Sequence, residues 1–251
     1  MIDLDNFTVG YGRRTLLENV DVAFESSTLT ALIGRNGSGK STLLRAIAGL
    51  NSDYKGTVRI DGCDIAAIPS EVRAKKLAFV NTERTRIANL RCEDVVAIGR
   101  APYTNWLGHL QKEDRDIVMS ALEAVDMLSY AGRTMDKMSD GECQRIMIAR
   151  ALAQDTPAIL LDEPTSFLDM PNRYELCLLL ARLAHDQGKC IVFSTHELDI
   201  AMSLCDNIAI IDTPSLYIFK PSDAGAGTCL ERLFRSENIA YDAIAHAVRI
   251  K

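Results

Sequence analysis

The stretch "TLTALIGRNGSGKSTLLRAIAGL", residues 28–50, constrains this chain more than any other. An unbroken apolar run enters a glycine-rich loop, and a segment of helical character leaves it. Such a run suits a strand buried on both faces, as in parallel sheets. The loop matches G-x-x-x-x-G-K-[ST], with Gly34, Gly39, Lys40 and Ser41 at the defining places and Asn36, Gly37, Ser38 and Thr42 completing it. Glycines at these places let backbone N–H groups curl around a β-phosphate. Lys40 then reaches the β- and γ-phosphates, and the Ser41 hydroxyl ligates Mg²⁺.

"AILLDEP" (residues 158–164) supplies the partner to that loop. Its apolar residues place Asp162 at the carboxyl end of a buried strand, beside the phosphate loop of a parallel sheet. Asp162 is expected to hold Mg²⁺ through water, and Glu163 to face the γ-phosphate and orient or deprotonate the attacking water. Two acids after an apolar run often mean only a solvated strand end; the phosphate loop gives them a role. His196 follows "IVFST" at another strand end, where it can contact the γ-phosphate. Tyr11, in "VGYG", can stack on a nucleobase or pack as an edge tyrosine, and its periodicity fits both.

A further feature asks for an explanation. "KMSDGECQR" (residues 137–145) sets a Ser-Asp-Gly turn at the start of a helical segment, whose free N–H groups favour an anion. Ser139 there reads equally as an ordinary helix N-cap.

Around these motifs, "IDLDNFTVGY" and "LENVDVAF" read as strands, and "KGTVRIDG", "KLAFV", "CIVFST" and "NIAIID" as further strands. From Asp114 the apolar period becomes helical through Ile117, Ala121, Leu122, Val125 and Leu128. Alternating βα units argue for a mainly parallel sheet. The helical stretch at about 85–155 interrupts them as a subdomain, and residues from about 213 to 251 form a C-terminal extension; no linker or repeat divides the 251 residues, which read as one domain. With 47% hydrophobic residues the chain can bury a full core, while a net charge of −6 argues against nucleic acid as a partner. The seven cysteines are scattered without a C-x-x-C pair, which suits reduced core thiols. No apolar run approaches the ~20 residues that span a bilayer, so a membrane role has to run through a partner.

Taken together, these motifs resemble the ATP-binding subunits of ABC transporters over nearly the whole chain. "GRNGSGKS" is similar to their Walker A, "AILLDEP" to their Walker B with Glu163 as catalytic residue, and "SFLD" (166–169) to their D-loop. "STHE" carries the switch His196, Tyr11 falls at the adenine-stacking aromatic, and "MSDGE" stands where the family signature is usually LSGGQ. The resemblance implies an α/β P-loop NTPase with a mainly parallel core sheet, an N-terminal antiparallel β subdomain and an inserted α-helical subdomain. It implies ATP and Mg²⁺ as cofactors, and two subunits arranged head to tail. Each ATP is then closed between one subunit's Walker A and the Ser139–Gly141 turn of the other, which gives the second anion-binding turn its use. The signature departs from the family pattern at Met138, Asp140 and Glu142, but keeps Ser139 and Gly141. At the end of "LAFVNTER", Thr82 stands where the family has a metal-touching Gln, and Thr82, or Glu83 through a water, is expected to take over part of that contact.

The stretch "VVAIGRAPYTNWLGHLQKEDRDIVMSALEAVDM" (95–127) and the tail "LERLFRSENIAYD" are similar to ATPases of importers for iron–siderophore complexes, haem or cobalamin. That implies integral membrane permease subunits as partners, a substrate-binding protein indirectly, and a place on the cytoplasmic face of the inner membrane. A soluble ABC ATPase acting on protein or DNA is the second reading, but this chain carries none of the coiled-coil insertions or fused domains usual there. A nucleotide switch or kinase is the third, and it leaves the Ser139 turn, Glu163 and His196 without roles.

Overall fold

A computed structural model describes residues 1–12, 14–82, 88–104, 108–166, 168–235, 239–242 and 247–250. The amino-terminal third is built of β1 (Ile2–Tyr11), β2 (Arg14–Phe24), β3 (Thr28–Gly34), α1 (Lys40–Ile47), β4 (Tyr54–Ile60), the two-residue β5 (Cys63–Asp64), α2 (Ser70–Arg73) and β6 (Leu77–Val80). A helical segment follows, with α3 (Cys92–Ala97), α4 (Lys112–Ala124) and α5 (Asp140–Ala153). The chain then alternates again through β7 (Ala158–Leu161), α6 (Met170–Gln187), β8 (Cys190–Ser194), α7 (Leu198–Leu204) and β9 (Asn207–Asp212). It ends in β10 (Ser215–Phe219), α8 (Ala224–Phe234) and the hairpin strands β11 (Ile239–Asp242) and β12 (Ala247–Ile250).

Two sheets carry the architecture. The first is antiparallel in the order β2-β1-β4-β5. The second runs β10-β9-β3-β8-β7-β6 and is parallel throughout except for β10 on its edge. This is the mixed α/β P-loop NTPase fold that the sequence implies.

The apolar runs explain why the parallel strands lie in the middle. In β3, Ala31 and Ile33 face one core while Leu32 faces the other, and in β7 Ile159 and Leu161 oppose Ala158 and Leu160 in the same way. One core gathers the helices α3 to α6 against the parallel sheet; the other joins α1 and the antiparallel sheet to its opposite face. A strand buried on both faces has no polar side to present, hence the unbroken runs. α5 lies between sheet and helical layer and buries residues nearly all round, from Cys143 to Ala153. Gln154 donates from its amide to the carbonyls of Ala74 and Leu77, tying the end of that helix to the start of β6. Six of the seven cysteines are buried and all are free thiols, with Cys63 the half-buried one.

Three details go beyond the sequence pattern. α2 closes after Arg73 and gives way to turns before β6. The C-terminal extension contains β10, α8 and a β-hairpin. The helical segment includes a 3₁₀ helix, Ile98–Tyr103, whose Arg100 is buried.

Arg100 holds three elements together. Its Nε donates to Asp114 Oδ1 at 2.9 Å at the start of α4, and one terminal nitrogen donates to the Ala153 carbonyl at 2.9 Å at the end of α5. Tyr103 covers the guanidinium with its ring centroid 4.0 Å away. The Gln111 N–H donates to the other Asp114 oxygen at 3.0 Å, and this bond, with that from Arg100, holds the Asp114 carboxyl below its usual range. A depressed carboxyl contributes stability above its unfolded value and loses it as pH falls through the folded one. Replacing Arg100 by Met, or Asp114 by Leu, leaves the other charge buried alone and is expected to cost about 3–5 kcal/mol. Urea denaturation checks this: each single variant should lower the midpoint at constant slope, and the double apolar variant should recover most of the loss.

Candidate functional site

Strand register brings the site together. Leu32 of β3 pairs with Ser194 of β8, and Phe193 pairs with Leu161 of β7, which pairs in turn with Val80 of β6. The residues just beyond these strands therefore meet at one edge: the phosphate loop after Gly34, Thr82, Asp162 with Glu163, and His196. Ligands bind at this carboxyl edge in open parallel sheets.

The loop closes through Gly39, which takes φ 106° as the residue before α1. That conformation favours glycine, and a Cβ there would also meet Leu16 at 3.1 Å. A cavity of about 440 Å³ lies over the loop. Asn36, Gly37, Gly39, Lys40, Ser41 and Thr42 form its floor, with Tyr11, Arg14, Leu16 and Glu163 on its walls. Tyr11 is 80% exposed, an open ring surface at the rim of this cavity and not a packed edge tyrosine. Two residues of the loop pattern lie elsewhere. Gly34 closes β3, and the buried Ser38 lines a second cavity along the loop.

Lys40 is buried, and its ammonium donates to the Gly34 carbonyl at 3.1 Å. Burial pulls its pKa down, while the carboxylates of Glu163 and Asp162 pull it up. Ser41 donates from its hydroxyl to Asp162 Oδ1 at 3.1 Å. One hydroxyl and one carboxylate so placed suit Mg²⁺, which takes its remaining oxygen ligands from phosphate and water. Among the described residues no group of three or more His, Cys, Asp or Glu side chains could hold a metal by itself.

Glu163 sits in an unusual backbone conformation for its type, with φ 48°. Such left-handed turns cost about 1–3 kcal/mol and persist where surrounding bonds enforce them. Here the Glu163 N–H donates to Ser194 Oγ at 2.8 Å, and the Ser194 hydroxyl donates to Asp162 Oδ1 at 2.7 Å. The turn throws the Glu163 carboxylate over the phosphate loop, where Oε1 lies 2.8 Å from His196 Nε2. Thr82 donates its hydroxyl proton to the Asp162 carbonyl at 3.0 Å, so any metal contact there uses the remaining lone pair of its oxygen. Glu83 lies outside the described residues.

Ser139 and Gly141 belong to a different face and line no part of this cavity. Ser139 caps α5: its Oγ accepts from the Glu142 N–H at 3.3 Å, and its own N–H and hydroxyl donate to the Glu142 carboxylate at 2.8 Å each. Those donors, the N–H foremost, hold the Glu142 carboxyl below its ordinary range.

The family of this arrangement is established by comparison. The ABC transporter family model matches residues 17–166. An uncharacterized ABC transporter ATP-binding protein of Methanocaldococcus jannaschii is 36% identical over 100% of this chain and 87% of its own length. The iron(3+)-hydroxamate import ATP-binding protein of Bacillus subtilis is 36% identical over 80% of this chain and 74% of its own. Among solved structures, an inward-facing transporter assigned to the metal-chelate type superposes with TM-score 0.81 at 25% identity, covering 92% of this chain and 88% of that one. A dimeric bacterial ABC transporter cassette superposes with TM-score 0.76 at 28% identity, covering 89% of this chain and 100% of its own. The chain belongs to the ABC transporter family, as one of its ATP-binding ATPase subunits.

Sequence reasoning did not single out Ser194. Its only signal is a small polar residue closing an apolar run, two positions before His196. Yet it is fully buried and bonded to both Asp162 and the Glu163 backbone. Ser194→Ala is expected to leave the Glu163 N–H unpaired, to cost about 1–3 kcal/mol of stability and to lower kcat while ATP affinity stays near wild type. Steady-state ATPase and thermal melting of the same preparation check both halves; a full kcat at reduced stability would assign Ser194 to folding alone.

Proposed function

We propose that this protein is the ATP-hydrolysing motor subunit of an ABC importer for an iron complex, siderophore or haem, or for cobalamin. Glu163 carries the reading. A carboxylate held over the phosphate loop by a strained turn and bonded to a histidine is placed to orient a water and sense the γ-phosphate. The names of relatives in iron(3+)-hydroxamate and hemin import support the cargo class.

In this reading Lys40 and the loop N–H groups hold the β- and γ-phosphates, and the adenine lies against Tyr11. Ser41 and Asp162 hold Mg²⁺, with Thr82 as an accessory oxygen. Mg²⁺, when bound, neutralises charge on the phosphate oxygens. Glu163 takes the proton of the attacking water and His196 fixes the Glu163 carboxylate in place.

Ser139 and Gly141 act on the ATP of a second subunit in a head-to-tail dimer. Within its own chain nothing demands glycine at position 141: it is not among the residues of positive φ, and a Cβ there would meet nothing nearer than Leu168 Cδ2 at 3.4 Å. The absent side chain then serves a neighbour. No helix among the described residues is long and apolar enough to cross a membrane. In this reading the subunit is held at the cytoplasmic face of the inner membrane by permease subunits, which a substrate-binding protein loads from the other side.

Size-exclusion chromatography of Glu163→Gln tests the dimer: a species of doubled mass should appear with ATP and vanish without it. Lys40→Ala should lose nucleotide binding, whereas Ser139→Ala should slow hydrolysis about 10-fold with binding largely kept. Equal loss of binding in both would contradict a role for Ser139 across the interface. Purification from native membranes in mild detergent tests the transporter: a polytopic membrane subunit should accompany the protein in equal amount. A protein that stays soluble and alone would favour a free-standing ABC ATPase.

A further inference from the structure

Next to the nucleotide cavity, along the phosphate loop, lies a smaller cavity of about 280 Å³. Arg14, Arg35 and Arg232 line it, with Asp212 the one acidic residue among its walls. In a chain of net charge −6, three guanidiniums against one carboxylate in so small a space is a marked local excess of positive charge. Asp212 lies 3.4 Å from Arg232 and offsets that charge. Arg14 and Arg35 have no carboxylate within ion-pair distance among the described residues. Like charges held together in one cleft repel unless an anion joins them.

The three arginines are exposed residues, and two features give the cleft between them a defined shape. Arg35 is fixed: its Nε donates to the Leu233 carbonyl at 2.6 Å and a terminal nitrogen to the Arg235 carbonyl at 3.5 Å. The phosphate loop and the end of α8 are thereby joined across the cavity. Ser38 lines the same space, is 6% exposed, and its hydroxyl is the one buried side-chain oxygen or nitrogen without a hydrogen-bond partner among the described residues. A buried hydroxyl without a partner costs about 1–3 kcal/mol, and Ser38 forms part of the wall of a cleft lined by three guanidiniums.

We infer that this cavity is a second anion site, for a phosphate-class dianion held by Arg14, Arg35, Arg232 and the Ser38 hydroxyl. Guanidinium forks match tetrahedral oxyanions, and Ser38 can donate to one more oxygen. A volume at the low end of ligand pockets favours a small ion or a phosphomonoester head over a whole nucleotide. Arg14 and Asn36 line both cavities, so an ion in this site shares two wall residues with the nucleotide cavity. The site is thus placed to report the phosphate status of the surroundings to the phosphate loop.

The test is equilibrium dialysis of radiolabelled orthophosphate against protein loaded with Mg²⁺ and saturating AMP-PNP, so that the nucleotide cavity is filled. Saturable binding of one phosphate per chain is expected. It should weaken about 10-fold or more in Arg232→Ala and in Arg35→Ala, and be largely restored in Arg232→Lys. AMP-PNP affinity and melting temperature of Arg232→Ala should match wild type, which separates a lost site from a lost fold. Competition by phenyl phosphate assigns the pocket to esterified phosphate, and its failure to compete assigns it to the free ion. Phosphate that binds only when AMP-PNP is left out, or binding unchanged in both alanine variants, overturns the inference. Should AMP-PNP itself fail to bind, the ATPase reading falls, and dialysis of nucleotide-free Lys40→Ala tests the smaller pocket alone.

Discussion

The chemistry of this molecule depends on the register in which β3, β8 and β7 pair. A slip of one residue in any of these pairings would turn every side chain of that strand to the other core and carry its terminal residue away from the edge. Because both faces are buried, such a slip is strongly disfavoured, and the apolar runs act as the ruler that sets where the polar residues begin. Ser194 shows the consequence most directly. It is the last residue of its strand, opposite Leu32 and beside Asp162, and so can bond to the two acids that follow β7 from within the sheet. The unusual turn at Glu163 rests on that bond.

The phosphate loop is held in shape by contacts within the chain itself. Lys40 bonds within the loop, Gly39 holds its left-handed conformation against Leu16, and Arg35 is fixed to the end of α8. A site so organised loses little conformational freedom on binding, which leaves more of the interaction energy for affinity and for the reaction. The signature turn is different. Its serine is fully engaged with Glu142 in a capping box, so reaching a partner's phosphate requires exchanging that internal bond for an external one.

Much of this was legible in the residues. The unbroken runs before Gly34 and Asp162 identify buried parallel strands by themselves, and the glycine spacing of the loop identifies its ligand chemistry. What could not be read was orientation and long-range partnership. A motif gives the order of Ser38 and Lys40 but not that they line different cavities. The stretch around Arg100 reads as irregular because its glycine and proline break the period, and its ordering agents, Asp114 and the Ala153 carbonyl, are distant in sequence. Ser194 escaped for a related reason: one hydroxyl at the end of an apolar run has no pattern, and its value lies in bonds to another strand. The elements after β9 have short and mixed patterns, since the edge strand β10 and the helix α8 each bury only one side.

The Arg100–Asp114 pair has a bearing on how such a chain can change over time. Neither residue can be exchanged first without passing through a protein that carries a solitary charge under Tyr103. Drift toward an apolar substitute therefore faces a valley at the halfway point, although the far side regains most of the stability. The two positions should be inherited together or lost together, and the junction of the 3₁₀ helix, α4 and α5 should diverge in jumps while the exposed residues around it diverge gradually.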